Sequence, residues 1–283
     1  MVVAVKKVFQ FLFIVLLFLI ILLSVKLNQE NFIWIFKPSL RSPTITRANF
    51  TCETWRNMSY INERKYQECL SLGSDGSFWG VEGLRHTAHK HLFNSSSLII
   101  EVGGNRAHDT VKFVEFHNPW IISYEPLVSM VVNLTEQFKS NPKVQIRPYG
   151  LGNHARSLLI ERNDAGNAGT SVFRGLSSPN STLIERIELL DVVEVIEEIR
   201  RTRTKDGMID MISINCEGCE FEIIPALILN NLTQYFRVIQ FASHINLVPH
   251  SSCIYCQIEQ AFQRTHKTLF YFSKLWEGWV LNK

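Results

Sequence analysis

The sequence lacks several patterns that would assign a common nucleotide or metal chemistry. Its 283 residues contain no G-x-G-x-x-G segment, the glycine pattern that lets a backbone approach a dinucleotide pyrophosphate. They also contain no D-x-D segment, which would be expected of a glycosyltransferase that holds a nucleotide sugar through a metal ion. Internal repeats and low-complexity segments are absent too, which excludes a repeat architecture.

Charge of either sign is not in excess, because 29 Lys and Arg residues face 26 Asp and Glu residues for a net charge of +3. The basic residues are dispersed except for one short run, formed by Arg200, Arg201, Arg203 and Lys205. No aromatic residues are interleaved with this run, so it is interpreted as the solvated end of a helix. The sequence therefore predicts no nucleic-acid partner.

One long apolar run is present near the amino terminus. Residues 8–25 are apolar except for two polar positions, and they follow a pair of lysines. The run is near the lower limit for crossing ~30 Å of hydrocarbon. No A-x-A-like cleavage site follows it, which favours an uncleaved signal anchor over a cleaved signal peptide. We therefore expect residues 1–7 to form a cytoplasmic tail and residues 8–25 to form a transmembrane helix.

Glycosylation sequons and cysteines predict the compartment of the remaining chain. The pattern N-x-[ST] occurs six times, where chance placement predicts roughly 2.5 occurrences. Six cysteines, an even number, also lie beyond the apolar run, as expected under oxidising conditions. We expect a single-pass type II membrane protein of the secretory pathway, located in the Golgi, with the chain beyond the anchor in the lumen. The sequons lie at Asn49, Asn57, Asn94, Asn133, Asn180 and Asn231.

The chain beyond the anchor divides into three predicted parts. Residues 26–50 are interpreted as a stem, residues 51–97 as a lumenal N-terminal extension, and residues 98–283 as the main domain. In this domain, apolar runs such as LIIEV, IISYE, MIDMISI and FRVIQFA alternate with helical patterns over roughly 107–117, 127–139, 191–201 and 219–230. SLLIER and SVF are interpreted as further short strands. The alternation predicts an α/β fold with a mainly parallel sheet covered on both faces.

The first predicted strand ends in a glycine-containing loop, EVGGNRA. Glycine at such a turn lets the backbone bend sharply and approach a ligand at the amino end of the next helix. Here an acid, Glu101, stands two positions before Gly103, and a small residue, Ala107, stands four positions after it. This spacing is that of the loop that binds S-adenosylmethionine, and not that of the dinucleotide loop.

The second predicted strand ends in SYEP and places Glu125 at its tip. A carboxylate at this position can accept hydrogen bonds from both hydroxyls of a ribose, a geometry that a neutral side chain does not match. Glu101 and Glu125 therefore supply acidic groups at the ends of two adjacent strands, as a nucleoside-containing cofactor requires.

These segments resemble a known family. EVGGNRAHDT, SYEP, YGLGN, GTSVF, IELLDVVEVI and IDMISINCEGCEFEII occur in the order seen in the FkbM-type methyltransferases, over about residues 98–242. The resemblance implies a Rossmann-like methyltransferase fold, S-adenosylmethionine as cofactor, and O-methylation of a glycan or small-molecule hydroxyl. It also implies that Glu101, Gly103 and Asn105 line the methionine portion of the cofactor and that Glu125 binds its ribose.

Three positions depart from the family pattern. Glu101 and Asn215 replace aspartates, and Ala107 replaces the last glycine of the loop. An amide carries no charge and donates as well as accepts hydrogen bonds, so a metal ligand at position 215 would be weakened, and no metal is expected in the site. Two interpretations stay open: an O-methyltransferase, and a catalytically silent methyltransferase-fold module that binds a glycan or protein partner.

The stretch INCEGCE is expected at the carboxyl end of a strand, the edge at which open α/β sheets bind ligands. Glu217 is the predicted functional carboxylate, and Asn215 can orient an acceptor hydroxyl. His244 follows the next strand at the same edge and could accept a hydroxyl proton near neutral pH. His108 and Asp109, which directly follow the first loop, are further substrate-facing candidates.

Cys216 and Cys219 admit three interpretations. In a zinc site they would pair with Cys253 and Cys256, at a spacing that is long for a zinc ribbon. A redox C-x-x-C would normally open the helix after the first strand of a thioredoxin-like unit, which is not predicted here. We expect instead that Cys216 and Cys219 are buried small side chains and that Cys253 and Cys256 form a local disulfide.

The extension before the main domain adds two weaker features. A disulfide between Cys52 and Cys69 would close a polar loop that is predicted to be helical. His86, His89 and His91 lie close together, but no carboxylate or cysteine nearby in the sequence completes a metal site with them.

Overall fold

The computed structural model describes residues 61–76, 78–163, 169–177 and 182–282, which belong to one compact unit, Ile45–Lys283. The predicted anchor, the stem, Cys52 and the sequons at Asn49, Asn57 and Asn180 lie outside the described residues. Within the described ranges, no helix combines the length and the apolar character that crossing a membrane requires. The predicted domain boundaries stay predictions.

Helices and strands alternate along most of the described chain. The α-helices are α1 (Glu63–Ser71), α2 (Phe78–Thr87), α3 (His108–His117), α4 (Val128–Phe138), α5 (Val192–Arg203), α6 (Glu220–Leu229) and α7 (Ser251–Phe262). The strands are β1 (Leu98–Val102), β2 (Trp120–Tyr124), β3 (Val144–Arg147), β4 (Gly150–Gly152), β5 (Arg156–Glu161), β6 (Ile184–Asp191), β7 (Ile209–Ile214), β8 (Phe236–Ala242), β9 (His266–Phe272) and β10 (Trp276–Leu281).

A seven-stranded sheet has the order β3-β2-β1-β7-β8-β10-β9. Its first five strands are parallel, and β10 runs antiparallel to both β8 and β9. Strand order reverses at β1, as it does in doubly wound Rossmann-like sheets, which bind ligands at that switch point. The predicted α/β class with a mainly parallel sheet is therefore confirmed. The antiparallel β10 departs from the dinucleotide-binding order, in agreement with the missing G-x-G-x-x-G pattern.

The central strands of this sheet, such as β1 and β7, are buried on both faces, which explains why they are largely apolar runs. All five residues of β1 are buried. Ile100 packs with Ile212 in the core on one face, and Ile99 packs with Met211 in the core on the other. Burying each such side chain contributes about 1.5–3 kcal/mol. Helices cover both faces because each face presents an apolar surface of this kind.

A smaller three-stranded sheet has the order β4-β6-β5 and was not predicted. Its core includes Ile160, Ile187 and Leu189, which pack on Leu127 at the start of α4. The prediction that SVF forms a strand is wrong, since these residues lie in a turn. The hydroxyl of Ser171 donates to the carbonyl oxygen of Glu217 and accepts from the backbone N–H of Phe173. One bond is local and the other joins residues 46 positions apart, and together they fix this turn without strand pairing.

The cysteines are oxidised in a different pattern from the predicted one. Cys69 on α1 is bonded to Cys256 on α7, and Cys216 is bonded to Cys219. Cys253 is disulfide-bonded as well. The predicted Cys52–Cys69 and Cys253–Cys256 pairs are wrong, because α7 packs on α1 and brings Cys256 to Cys69. The zinc interpretation fails too, since a disulfide offers no thiolate to a metal.

Candidate functional site at the switch point of the sheet

The loop after β1 contacts the end of β7 at the switch point. The backbone N–H of Asn215 donates to the carbonyl oxygen of Val102 over 2.9 Å. Gly103 has φ +92°, and a Cβ at this position would lie 2.0 Å from the carbonyl oxygen of Asn215. Only glycine combines this backbone conformation with so close an approach. Gly103 therefore holds the first loop against the end of β7.

Glu125 connects the first loop to the end of β2. Its Oε2 accepts from the backbone N–H of Asn105 over 2.8 Å, and its Oε1 accepts from the backbone N–H of Leu127 over 2.9 Å. Burial raises the pKa of this carboxyl, and the two backbone hydrogen bonds oppose that rise. Each oxygen of an ionised carboxylate keeps a further lone pair, so Glu125 can still accept hydrogen bonds from a ligand.

Glu101 is buried at the end of β1, where it is hydrogen-bonded to α3 and β2. Its Oε2 accepts from the hydroxyl of Thr110 over 2.6 Å and from the hydroxyl of Ser123. Burial, followed by the negative charge of Asp109, raises the pKa of Glu101 to about 7. Glu101 lines the larger of two neighbouring cavities, whereas Glu125 lines the smaller one.

These two cavities meet at the switch point. The narrow cavity has a volume of about 70 Å³ and lies between the first loop and the small sheet. The wide cleft has a volume of about 860 Å³ and lies between the first loop, α2 and the end of β8. The residues common to both linings are Gly103, Asn105, Asn215 and Glu217. Four of the seven predicted site residues thus form the boundary between the cavities.

Glu217 and His244 face each other at the edge of the wide cleft. His244 Nε2 lies 3.6 Å from Glu217 Oε1. Glu217 lies in the turn between β7 and α6 and has a left-handed backbone, with φ +55°. The structure therefore brings Asn215, Glu217 and His244 together, as the motif positions predicted. The catalytic roles of these three residues stay predictions.

Glu220 was missed by the sequence analysis. It is fully buried, its Oε1 accepts from the backbone N–H of His244 over 2.8 Å, and the same oxygen lies 2.9 Å from His244 Nδ1. Burial of His244 favours the neutral ring, but the hydrogen bond and charge of Glu220 and the charge of Glu217 outweigh it and raise the pKa of His244. The second E of the C-E-G-C-E stretch was the only sequence signal for this residue.

The opposite wall of the wide cleft is a charged network on α2 and α3. Asp109 accepts from His86 Nε2 over 2.6 Å and lies 3.1 Å from Arg85 Nη2. Burial alone would raise the pKa of Asp109, but the bond to His86 and the charge of Arg85 outweigh it and lower this pKa. His108 lies 3.1 Å from Glu82 Oε2. Asp109 is thus bonded to α2 through Arg85 and His86.

One ion pair borders the narrow cavity and was also missed. Arg156 Nη2 on β5 lies 2.8 Å from both carboxylate oxygens of Glu222 on α6. The pair joins the small sheet to the helix that follows the C-E-G-C turn. Its partners are 66 positions apart in the sequence, so no local pattern could predict it.

No protein-family model and no curated protein sequence matches the chain. Among solved structures, it is similar to an rRNA methylase from Streptococcus thermophilus, with 6% identity and a TM-score of 0.42, covering 71% of this chain and 95% of that one. It is also similar to an O-methyltransferase from Bacillus cereus in complex with SAH, with 12% identity and a TM-score of 0.40, covering 82% of this chain and 100% of that one. Identities and scores this low identify neither a family nor a substrate.

Proposed function

We propose that this protein is a membrane-anchored, lumenal methyltransferase of the FkbM type that transfers a methyl group from S-adenosylmethionine to a glycan hydroxyl. The observation that carries the proposal is the position of Glu217 and His244. They lie 3.6 Å apart, beside the glycine loop, where a cavity on each side can hold one of two reactants. The sequence motifs shared with the family and the Rossmann-like sheet support the same conclusion.

The lining of the narrow cavity fits the cofactor chemically. Gly103, Asn105 and Glu125 supply polar groups to its lining, and Leu127 and Leu151 supply apolar side chains. A nucleoside with an amino-acid tail has the same two-part character, and Glu125 keeps acceptor capacity for ribose hydroxyls. The volume of about 70 Å³ is below the ~300 Å³ usual for small-molecule sites, so the cavity must widen on binding.

The wide cleft is the acceptor site of this proposal. When bound, S-adenosylmethionine supplies a methyl group on a positively charged sulfur, which an oxygen nucleophile can attack. His244 Nε2 accepts the proton of the acceptor hydroxyl, and Glu217 stabilises the resulting imidazolium. Asn215 orients the hydroxyl as a hydrogen-bond donor or acceptor. A positioned general base contributes about 10²–10⁴-fold, and holding the reactants in line contributes the rest.

A lumenal location is supported by the surface and by the cysteines. The three sequon asparagines within the described residues, Asn94, Asn133 and Asn231, are all exposed. All described cysteines are disulfide-bonded, as in proteins of oxidising compartments. The apolar run 8–25 is the proposed anchor, and the Golgi is the proposed location because glycan acceptors are abundant there.

Cofactor binding is the first test. The full-length chain should be stabilised by S-adenosylhomocysteine and not by NAD, with a gain of ~2.7 kcal/mol at 100 times the Kd. Glu125→Ala should lose most of this ligand-dependent gain, whereas Glu188→Ala, an exposed acid on β6, should keep it. Equal gains in wild type and Glu125→Ala would remove Glu125 from the ribose site.

Methyl transfer is the second test. The full-length chain is incubated with methyl-labelled S-adenosylmethionine and a panel of glycans, in parallel with Glu217→Gln and His244→Gln. Label should appear on glycan hydroxyls with wild type and fall about 10²-fold or more with His244→Gln. Intact cofactor binding without transfer to any acceptor would favour the silent binding module instead.

Topology is the third test. Expressed in secretory cells, the chain should lose mass after glycosidase treatment and stay with membranes after an alkaline wash. Single Asn94→Gln, Asn133→Gln and Asn231→Gln variants should each remove one glycan. Unchanged mobility after glycosidase, together with digestion of the C-terminal part by protease added to intact microsomes, would contradict the lumenal assignment.

A further inference from the structure

Glu220 is placed to control the proton state of the histidine beside it. It begins α6, directly after the C-x-x-C turn, and its side chain is 0% exposed. Two backbone N–H groups donate to its carboxylate, that of His244 over 2.8 Å and that of Gly218 over 3.0 Å, and His244 Nδ1 lies 2.9 Å from Oε1. One buried side chain therefore holds both the strand end that carries His244 and the turn that carries Glu217.

The requirements of this position are those of an ionised carboxylate. Each carboxylate oxygen accepts from a backbone N–H, that of His244 on Oε1 and that of Gly218 on Oε2, and an ionised carboxylate is the side chain that only accepts. A glutamine would have to present its NH₂ group either to Gly218 or to His244, and each of those groups already carries a proton. Burying the charge is costly without compensation, but three hydrogen bonds and the amino end of α6 offset that cost.

The contact with Nδ1 selects one form of the imidazole ring. Since the carboxylate accepts, Nδ1 must carry a proton, and in the neutral ring the lone pair is then on Nε2. Nε2 is the nitrogen that faces Glu217 over 3.6 Å at the wide cleft. A buried acid behind a histidine fixes ring orientation and tautomer in this way in the serine-protease triad.

Glu217 cannot fill the same role. Its side chain is 28% exposed, and its distance of 3.6 Å from Nε2 is too long for a hydrogen bond. The remaining charged group that acts on His244 is Arg174, which opposes protonation of the ring. Glu220 is therefore the only one of these groups in hydrogen-bond contact with the ring.

We propose that Glu220 is a positioning residue that holds His244 with Nδ1 protonated and Nε2 free toward the acceptor cleft. The assignment to catalysis rests on the proposed methyl transfer, whereas the effect on the imidazole is a property of the protein alone. Glu220 itself does not contact the acceptor and acts through His244.

The experiment measures His244 directly in the full-length chain. Histidines are labelled with ¹⁵N, the His244 signals are assigned with His244→Gln, and ring shifts are followed from pH 5 to 9. Wild type should show Nδ1–H as the main neutral tautomer. Glu220→Gln should populate the Nε2–H form and lower the pKa of His244. The matched control is Glu194→Gln, an exposed acid in the first turn of α5, which should leave both quantities unchanged.

Measurements of activity and of cofactor binding distinguish a failure of this proposal from a failure of the proposed methyl transfer. Glu220→Gln should lower kcat by about 10²-fold or more, move the acidic limb of the kcat/KM profile to lower pH, and leave the Kd for S-adenosylhomocysteine unchanged. A wild-type His244 with Nε2–H as its main neutral tautomer would overturn the proposal, even if Glu220→Gln failed to fold. So would a Glu220→Gln variant with the tautomer and pKa of wild type. A shifted tautomer without any methyl transfer would retain the positioning role and contradict the methyltransferase.

Discussion

The carbonyl oxygen of Asn215 occupies the space that a side chain at Gly103 would need, because it lies only 2.0 Å from the position that a Cβ would take. The end of β7 and the loop after β1 are therefore in direct backbone contact at the switch point of the sheet. Any side chain at position 103 must displace the residue that precedes Glu217 by two positions, so packing and the candidate site depend on the same glycine.

Gly103→Ala should destabilise the protein by about 2–4 kcal/mol. The left-handed backbone costs about 1 kcal/mol with alanine, and overpacking against the backbone of Asn215 adds about 1–3 kcal/mol. Unfolding by urea, with midpoint and slope compared with wild type, measures this cost. The control is Gly83→Ala on α2, where a Cβ meets nothing within 4 Å, and a gain of about 0.5–1 kcal/mol is expected. Equal midpoints for Gly103→Ala and wild type would contradict the contact.

Arg156→Met should loosen the narrow cavity by removing the ion pair with Glu222. Both side chains are about one-fifth exposed, so loss of the charged hydrogen bonds should cost about 1–2 kcal/mol of stability. S-adenosylhomocysteine binding should weaken as well, because the pair joins the small sheet to α6 beside the cavity. Arg186→Met, on β6 of the same sheet and exposed, should change neither quantity. Calorimetric Kd values for the two variants provide the comparison.

Glu101 should make the free energy of unfolding decrease as pH rises. The reason is that the folded state binds a proton at this carboxyl more tightly than the unfolded state does. Its pKa is raised from 4.5 to about 7 in the folded protein. Its favourable contribution is therefore complete below pH 4.5 and is lost as pH rises through about 7. The loss attributable to this carboxyl is about 3 kcal/mol. Glu101→Gln should remove that part of the slope between pH 4.5 and 7.5, measured as urea midpoints across the range. Parallel profiles for the two proteins would show that Glu101 ionises normally.

The two disulfides within the described residues should contribute differently to the free energy of unfolding. The bond between Cys69 and Cys256 spans 187 positions, and a loop of that length predicts about 5 kcal/mol of stabilisation by chain entropy. The bond between Cys216 and Cys219 spans 3 positions, and the same relation predicts about 2 kcal/mol. Double serine variants of each pair serve as controls for each other.

The Cys216–Cys219 pair should matter more for the site than for the fold. Its ring encloses Glu217 and Gly218, which both have positive φ. The double serine variant of this pair should therefore change the ring shifts of His244, while the double serine variant of Cys69 and Cys256 should lower Tm and leave those shifts unchanged. If the ring shifts of His244 changed only in the Cys69 and Cys256 variant, the Cys216–Cys219 bond would not be what holds Glu217.

The central strands could be predicted because burial on both faces requires a continuous run of apolar residues, which is visible in the sequence. LIIEV and FRVIQFA match β1 and β8 residue for residue, since every position along them must be apolar or hydrogen-bonded. The motif at the end of β7 also placed Asn215 and Glu217 correctly at the sheet edge. In these cases the pattern of residues within one stretch was enough to predict its place in the sheet.

The remaining features depend on partners distant in the sequence. β6 pairs with β5 across a long gap, and its half-buried pattern is weak by itself. The C-terminal strands β9 and β10 pair antiparallel on a sheet that otherwise predicts only parallel neighbours. Glu220 and His244 are 24 positions apart, so their contact emerges only when β7 and β8 are adjacent. The local propensity of residues for helix or strand cannot predict contacts that form only when distant segments pack together.

The bond between Cys69 and Cys256 also has a consequence for biosynthesis. At about 5–20 residues per second, Cys256 is synthesised about 10–40 s after Cys69, and Cys216 and Cys219 are synthesised in between. During that interval the thiol of Cys69 can react with Cys216 or Cys219, which are not its partners in the folded protein. If it does, an isomerase is needed to rearrange the incorrect bond. A nascent chain that stops before α7 does not yet contain Cys256, the partner of Cys69 in the folded protein.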